Sequence, residues 1–96
     1  MNVLSYKCQV GRLVYSKAGR DKDKCFIIVD VLDDKYVYIS DGNMRTIENP
    51  KKKKIRHLVF TSILCNEMSE REELVTRINN SFIRKFIQSH QFNKEV

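Results

Sequence analysis

Cys25-Phe26-Ile27-Ile28-Val29-Asp30-Val31-Leu32-Asp33-Asp34-Lys35-Tyr36-Val37-Tyr38-Ile39-Ser40-Asp41-Gly42 carries more structural information than any other part of this chain. From Cys25 to Leu32 every residue except Asp30 is apolar and most are β-branched or aromatic, the signature of a strand covered on both faces. Asp33-Asp34 breaks the run. Tyr36 to Ser40 then alternates, with Val37 and Ile39 on one face and Tyr36 and Tyr38 on the other. Asp41-Gly42 is a hairpin signal, because a two-residue primed turn needs positive φ at both central residues.

Working outward, Arg12 to Ser16 reads as a first strand, and Lys17 to Lys24 as a polar loop holding Gly19. Downstream of Gly42 a fourth strand is expected over about Asn43 to Glu48. Pro50 cannot donate to a ladder and restricts Asn49, so the Lys51 to Lys54 run is predicted to be a loop, and His57 to Thr61 a short closing strand. Five short antiparallel strands suit a small, strongly bent barrel of SH3-like type. No helical period interrupts residues 11–61, which disfavours an OB-type barrel.

Beyond Thr61 the period changes. Ser69 and Glu72 form a capping box, and Leu74, Ile78, Phe82 and Phe86 recur every four residues. The spacing predicts a helix from about Ser69 to Ser89. Asn79-Asn80-Ser81 favours caps and turns, so two consecutive helices are the alternative. The predicted organisation is a barrel over residues 1–62 and a helical extension over 63–96 packed on it.

The formal net charge of +6 is unevenly spread: residues 1–60 hold 13 Lys/Arg against 7 Asp/Glu, and residues 61–96 hold 5 against 5. The excess concentrates at Lys17, Arg20, Lys22 and Lys24, and at Lys51 to Lys54 with Arg56 and His57. Such clusters are the footprint of a polyanion ligand, since each neutralised phosphate releases condensed counterions; a solvated, solubilising lysine run is the simpler reading of the second. No apolar run approaches the roughly 18 residues of a membrane span, and Met1 to Tyr6 lacks the features of a secretory signal, so a cytoplasmic protein is expected. The 3 cysteines, Cys8, Cys25 and Cys65, form no CxxC pair and suggest neither a disulfide framework nor a zinc site. No catalytic constellation is present, and neither an enzyme nor a cofactor is expected.

Gly11-Arg12-Leu13-Val14-Tyr15-Ser16-Lys17-Ala18-Gly19-Arg20-Asp21-Lys22-Asp23-Lys24-Cys25-Phe26-Ile27-Ile28-Val29 resembles a KOW motif, in which two strands flank a glycine-bearing basic loop. More narrowly, Gly11 to His57, with Tyr38-Ile39-Ser40-Asp41-Gly42-Asn43-Met44-Arg45 and Asn49-Pro50-Lys51-Lys52-Lys53, is similar to the KOW-domain RNA-binding proteins akin to the fourteen-e type of large-subunit ribosomal protein. That resemblance implies an SH3-like barrel and RNA contact through the loop joining the first two strands. The family usually carries a second glycine late in this loop; Asp23 stands there, and aspartate tolerates positive φ better than most residues.

The candidate RNA-binding residues are accordingly Lys17, Gly19, Arg20, Lys22 and Lys24 on the first loop; Asp41, Gly42 and Arg45 at the hairpin turn; and Lys51, Lys52, Lys53, Lys54, Arg56 and His57 on the Lys-rich loop. Arg45 can equally be an exposed residue paired with Asp41. Tyr15, Tyr36 and Tyr38 can stack on unpaired bases or simply pack. The expected function is binding of structured rRNA by a ribosomal or ribosome-associated monomer. The alternative is a protein-interaction adaptor that uses the barrel and the apolar helical tail.

Overall fold

The structure, a computed structural model, describes residues 8–65 and 79–90. Five strands, β1 (Arg12–Ser16), β2 (Cys25–Val31), β3 (Tyr36–Ser40), β4 (Lys51–Lys54) and β5 (Leu58–Leu64), form one antiparallel sheet in the order β4-β3-β2-β1-β5. The two outermost strands are consecutive in the chain, joined by a single 3-10 turn at Ile55–His57. That short connection requires the sheet to curl, and bulges between Arg12 and Val14 and between Ile28 and Asp30 add the local twist. The result is mainly β and barrel-like, followed by the helix α1 (Asn80–His90), as the sequence predicts.

Strand alternation divides the apolar residues into two groups. Val14, Phe26, Ile28, Val37, Ile39, Ile55 and Leu58 fill the concave side. Leu13, Cys25 and Ile27 point the other way and are covered by Ile83 and Ile87 of α1, with Cys65. Cys25 to Ile28 is therefore buried on both faces, as its unbroken apolar run implies. The cover stops beyond that point: Val31 is 38% and Leu32 45% exposed, because α1 lies over the other end of β2.

Three sequence expectations require correction. Asn43 to Glu48 is not a strand. Asp41 Oδ1 accepts the N–H groups of Asn43 and Arg45, both at 2.9 Å, and Ile47 N–H donates to Asn80 Oδ1 at 2.8 Å. Side chains thus satisfy backbone groups that a ladder would otherwise claim. Conversely, the Lys51 to Lys54 run is not a loop but strand β4, pairing Ile39 with Lys51, Tyr38 with Lys52, Val37 with Lys53 and Tyr36 with Lys54. Pro50 sits just outside it, where a missing N–H costs nothing. Finally, the closing strand starts at Leu58 and runs on to Leu64, with Thr61 Oγ1 donating to the Leu13 carbonyl at 2.7 Å.

The asparagine pair marks a helix start. Asn79 Oδ1 accepts the Phe82 N–H at 2.8 Å, a side-chain cap that fixes where α1 begins. Asn80 turns back to the barrel, holding Ile47 N–H and donating to Glu48 Oε1 at 2.9 Å. The expected capping box at Ser69 and the helix over residues 69–78 lie outside the described residues.

Candidate nucleic-acid interface

The β1–β2 loop owes its shape to two left-handed residues. Gly19 (φ 76°) opens a 3-10 turn over Gly19–Asp21, and Asp23 (φ 71°) closes the loop, its N–H donating to the Ser16 carbonyl at 2.6 Å. Asp23 is the single non-glycine residue with positive φ among those described, and it performs the turn that a second glycine would make. Lys17, Arg20, Lys22 and Lys24 are exposed around this turn.

Pairing makes the lysines of β4 inequivalent. Lys51 and Lys53 lie on the side of Ile39 and Val37 and reach beneath the loop; Lys52 and Lys54 lie on the side of Tyr38 and Tyr36. Lys51 Nζ forms an ion pair with Asp21 Oδ2 at 2.6 Å. Lys53 is buried, its ammonium donating to the Ala18 carbonyl at 3.4 Å. Lys17 N–H in turn donates to the His57 carbonyl at 2.9 Å. Residues 17–24 and 51–57, separated in sequence by two strands, are fastened at one end of the barrel.

The crowding of cations is visible in the ionisation of its members. The hydrogen bond from Lys51 holds the Asp21 carboxyl below its usual value, with the charges of Lys51, Lys53 and Arg45 adding to it. Burial lowers the Lys53 pKa, and repulsion from Lys51 lowers it further against the pull of Asp21. His57 is lowered by desolvation and then by Lys53, Lys54, Arg56 and Lys17. A site where several cations disfavour one another is one where an incoming anion gains on each.

Other members of the expected set sit differently. Asp41 spends its carboxylate on the turn. Gly42 (φ 74°) is buried under α1, where an added Cβ would run into the Asn80 carbonyl, and its own carbonyl accepts from Arg84 Nη1 at 2.7 Å. Both residues are explained by the fold. Lys24 faces a depression shared with Asp23, Asp41, Met44 and Arg84, apart from the Lys51–Lys53 side of the loop. Lys54 and Arg56 line a groove beside Tyr36, and Lys52 Nζ lies 4.6 Å from the Tyr36 ring centroid.

Sequence reading did not single out Asp21 or the Ala18 carbonyl, which anchor the loop to β4. The Gly-Arg-Asp order of the 3-10 turn was the available signal for Asp21; a backbone acceptor leaves none. No group of three or more His, Cys, Asp or Glu among the described residues can hold a metal ion. Cys25 and Cys65 are buried, and burial pushes the Cys8 thiol up, away from an activated thiolate. No helix among the described residues is long and apolar enough to cross a membrane.

No protein-family model matches the chain. Over 84 residues, spanning 85% of this chain and 88% of the other, it is 29% identical to the large ribosomal subunit protein eL14 of Desulfurococcus amylolyticus.

Proposed function

We propose that this protein binds structured ribosomal RNA as a ribosomal or ribosome-associated monomer in the cytoplasm, through a KOW-type loop, and catalyses no reaction. The observation that carries this reading is the fastening of two basic segments into one surface by the Lys51–Asp21 ion pair, the Lys53–Ala18 bond and the Lys17–His57 bond. The 29% identity to a large-subunit ribosomal protein over most of both chains supports the same partner.

In this reading Lys17, Arg20 and Lys22 take phosphates from the exposed rim of the loop, and Gly19 lets the backbone approach closely. Arg20 can fork to two oxygens where a lysine cannot. Lys51 and Lys53 act from beneath, holding the loop and contributing charge. Within α1 the packing speaks against the adaptor alternative, because Ile83 and Ile87 are buried on the barrel, with the partly buried Phe82 and Phe86 packed beside them.

Filter binding of rRNA fragments and co-sedimentation with ribosomes across a salt series test the proposal. Association that weakens steeply with salt is expected. Absence of association, or binding indifferent to salt, overturns it.

A further inference from the structure

The sheet has a face that neither α1 nor the basic loop accounts for. Tyr36 and Tyr38 alternate with the fully buried Val37 and Ile39, so both rings stand on the outside of the barrel, half-buried. Their partners across β4 are Lys54 and Lys52, and directly paired residues project on the same side. α1 covers this outer surface over Leu13, Cys25 and Ile27, with no share of Tyr36 or Tyr38 in that cluster. Beside Tyr36 runs a groove of about 380 Å³ lined by Asp34, Lys35, Lys54, Ile55 and Arg56.

We propose that the outward face of β3 and β4 is a second RNA surface, which takes unpaired nucleotides by stacking bases on Tyr36 and Tyr38 and holding their phosphates with Lys52, Lys54 and Arg56. The inference rests on the RNA-binding reading above and extends it from structured to single-stranded RNA. Aromatic rings flanked by cations are the composition that recognises unpaired strands, since every base offers a π-face and every linkage a charge.

Continuity with the first surface favours RNA as the occupant. Lys54 and Arg56 line the groove and are also two of the cations acting on His57, beside the basic loop. A strand leaving a duplex held at that loop meets Arg56 and Lys54 first and the tyrosines next. Three acids lie nearby and keep their charge: Asp30 of β2, which pairs with Tyr38 and so shares its side, Asp33, whose Oδ1 accepts the Lys35 and Tyr36 N–H groups at 2.8 Å, and Asp34 at the rim; against them stand Lys35, Lys52, Lys54 and Arg56. The rings lie two residues apart on a strand, about 6.6 Å, or twice the roughly 3.4 Å rise of a stacked nucleotide. They therefore suit alternate bases of a stacked strand or adjacent bases of an extended one.

Lys52 now occupies the ring that a base would need. An exposed lysine over a ring strengthens association by only about 2- to 5-fold, whereas a base stacked on an aromatic side chain contributes roughly 5- to 150-fold. The base wins the exchange, and the displaced ammonium is left beside its phosphate.

The test compares a fluorescein-labelled single-stranded octanucleotide with an RNA hairpin lacking unpaired tails, both titrated against the full chain by anisotropy. Tyr36→Leu with Tyr38→Leu is expected to weaken octanucleotide binding at least 10-fold and to leave hairpin binding within 2-fold. Tyr36→Phe with Tyr38→Phe, which retains the π-faces, is expected to bind the octanucleotide as the wild type does and so guards against a folding artefact. Unchanged octanucleotide affinity in the leucine variant overturns this inference and leaves the first proposal standing, whereas a wild type that binds neither RNA overturns both. If polyglutamate binds in a tyrosine-dependent way and the octanucleotide does not, the face belongs to an acidic protein and the inference also fails.

Discussion

Lys51 and Asp21 are 30 positions apart in sequence and 2.6 Å apart in the structure, and their ion pair closes the basic loop onto β4. The pair is partly buried, so Asp21→Asn is expected to cost only about 1 kcal/mol in urea denaturation. The sign with pH follows from the lowered carboxyl pKa: the contribution is complete above the ordinary value of 3.8 and is lost as pH falls through the folded-state value. The asparagine variant therefore lacks this part of the acid destabilisation. It frees Lys51 and raises the net charge, so association with RNA quickens at low salt while discrimination among RNAs falls.

The loop and the strand should fail differently. Lys17→Ala with Arg20→Ala removes close contacts worth on the order of 1–3 kcal/mol each and leaves a residual binding that discriminates poorly. Lys52→Ser with Lys54→Ser changes only the outward lysines of β4, sparing buried Lys53. It is expected to flatten the salt slope for single-stranded RNA by roughly 0.7 for each phosphate no longer neutralised, while preserving selectivity among structured RNAs. Affinity against salt for one cognate and one unrelated RNA distinguishes the two; a selective loop variant beside an unselective strand variant would assign recognition to β4.

Two glycines with nearly the same φ predict unequal costs. Gly19 (φ 76°) has only Lys53 Nζ near its missing Cβ, at 3.9 Å, so Gly19→Ala bears the left-handed backbone alone, about 1–2 kcal/mol. Gly42 (φ 74°) adds a collision with the Asn80 carbonyl and with Arg84, so Gly42→Ala should lose at least about 3 kcal/mol and detach the start of α1. Urea midpoints measure the difference, and equal losses would refute the close approach of α1 to this turn.

His57 should titrate below the ordinary 6.5 in the free protein. Because its charged form is disfavoured on folding, stability is intact above that value and declines as pH drops toward the lowered pKa. Salt screens the repulsion by Lys53, Lys54, Arg56 and Lys17, so the NMR-observed pKa should rise with ionic strength, and rise further when RNA neutralises the same cations. A pKa indifferent to both would show that desolvation alone sets it.

What the sequence makes legible is set by where burial leaves an apolar trace. β2 and β3 can be read within a residue because Ile27, Ile28, Val37 and Ile39 each report the face they occupy. β4 cannot, since four identical lysines carry no alternation; the open edge of β3 assigns their register and sends Lys53 inward. Asp41 and Asn80 are similarly opaque, because their work is to cap backbone groups brought near by the curl of the sheet. The basic clusters were visible as composition, but their meeting at Asp21 and Ala18 belongs to tertiary structure.

The division of the core into two sides sets an order of assembly. Every residue of the concave cluster, from Val14 to Leu58, has been synthesised before α1 exists, so that side can close early. Leu13, Cys25 and Ile27 must wait for Ile83, 18 positions after Cys65 and roughly 1–4 s later at ordinary elongation rates. During that interval Leu13, Cys25 and Ile27 lack the cover of Ile83 and Ile87, so a chain truncated before α1 is expected to expose apolar surface and to aggregate.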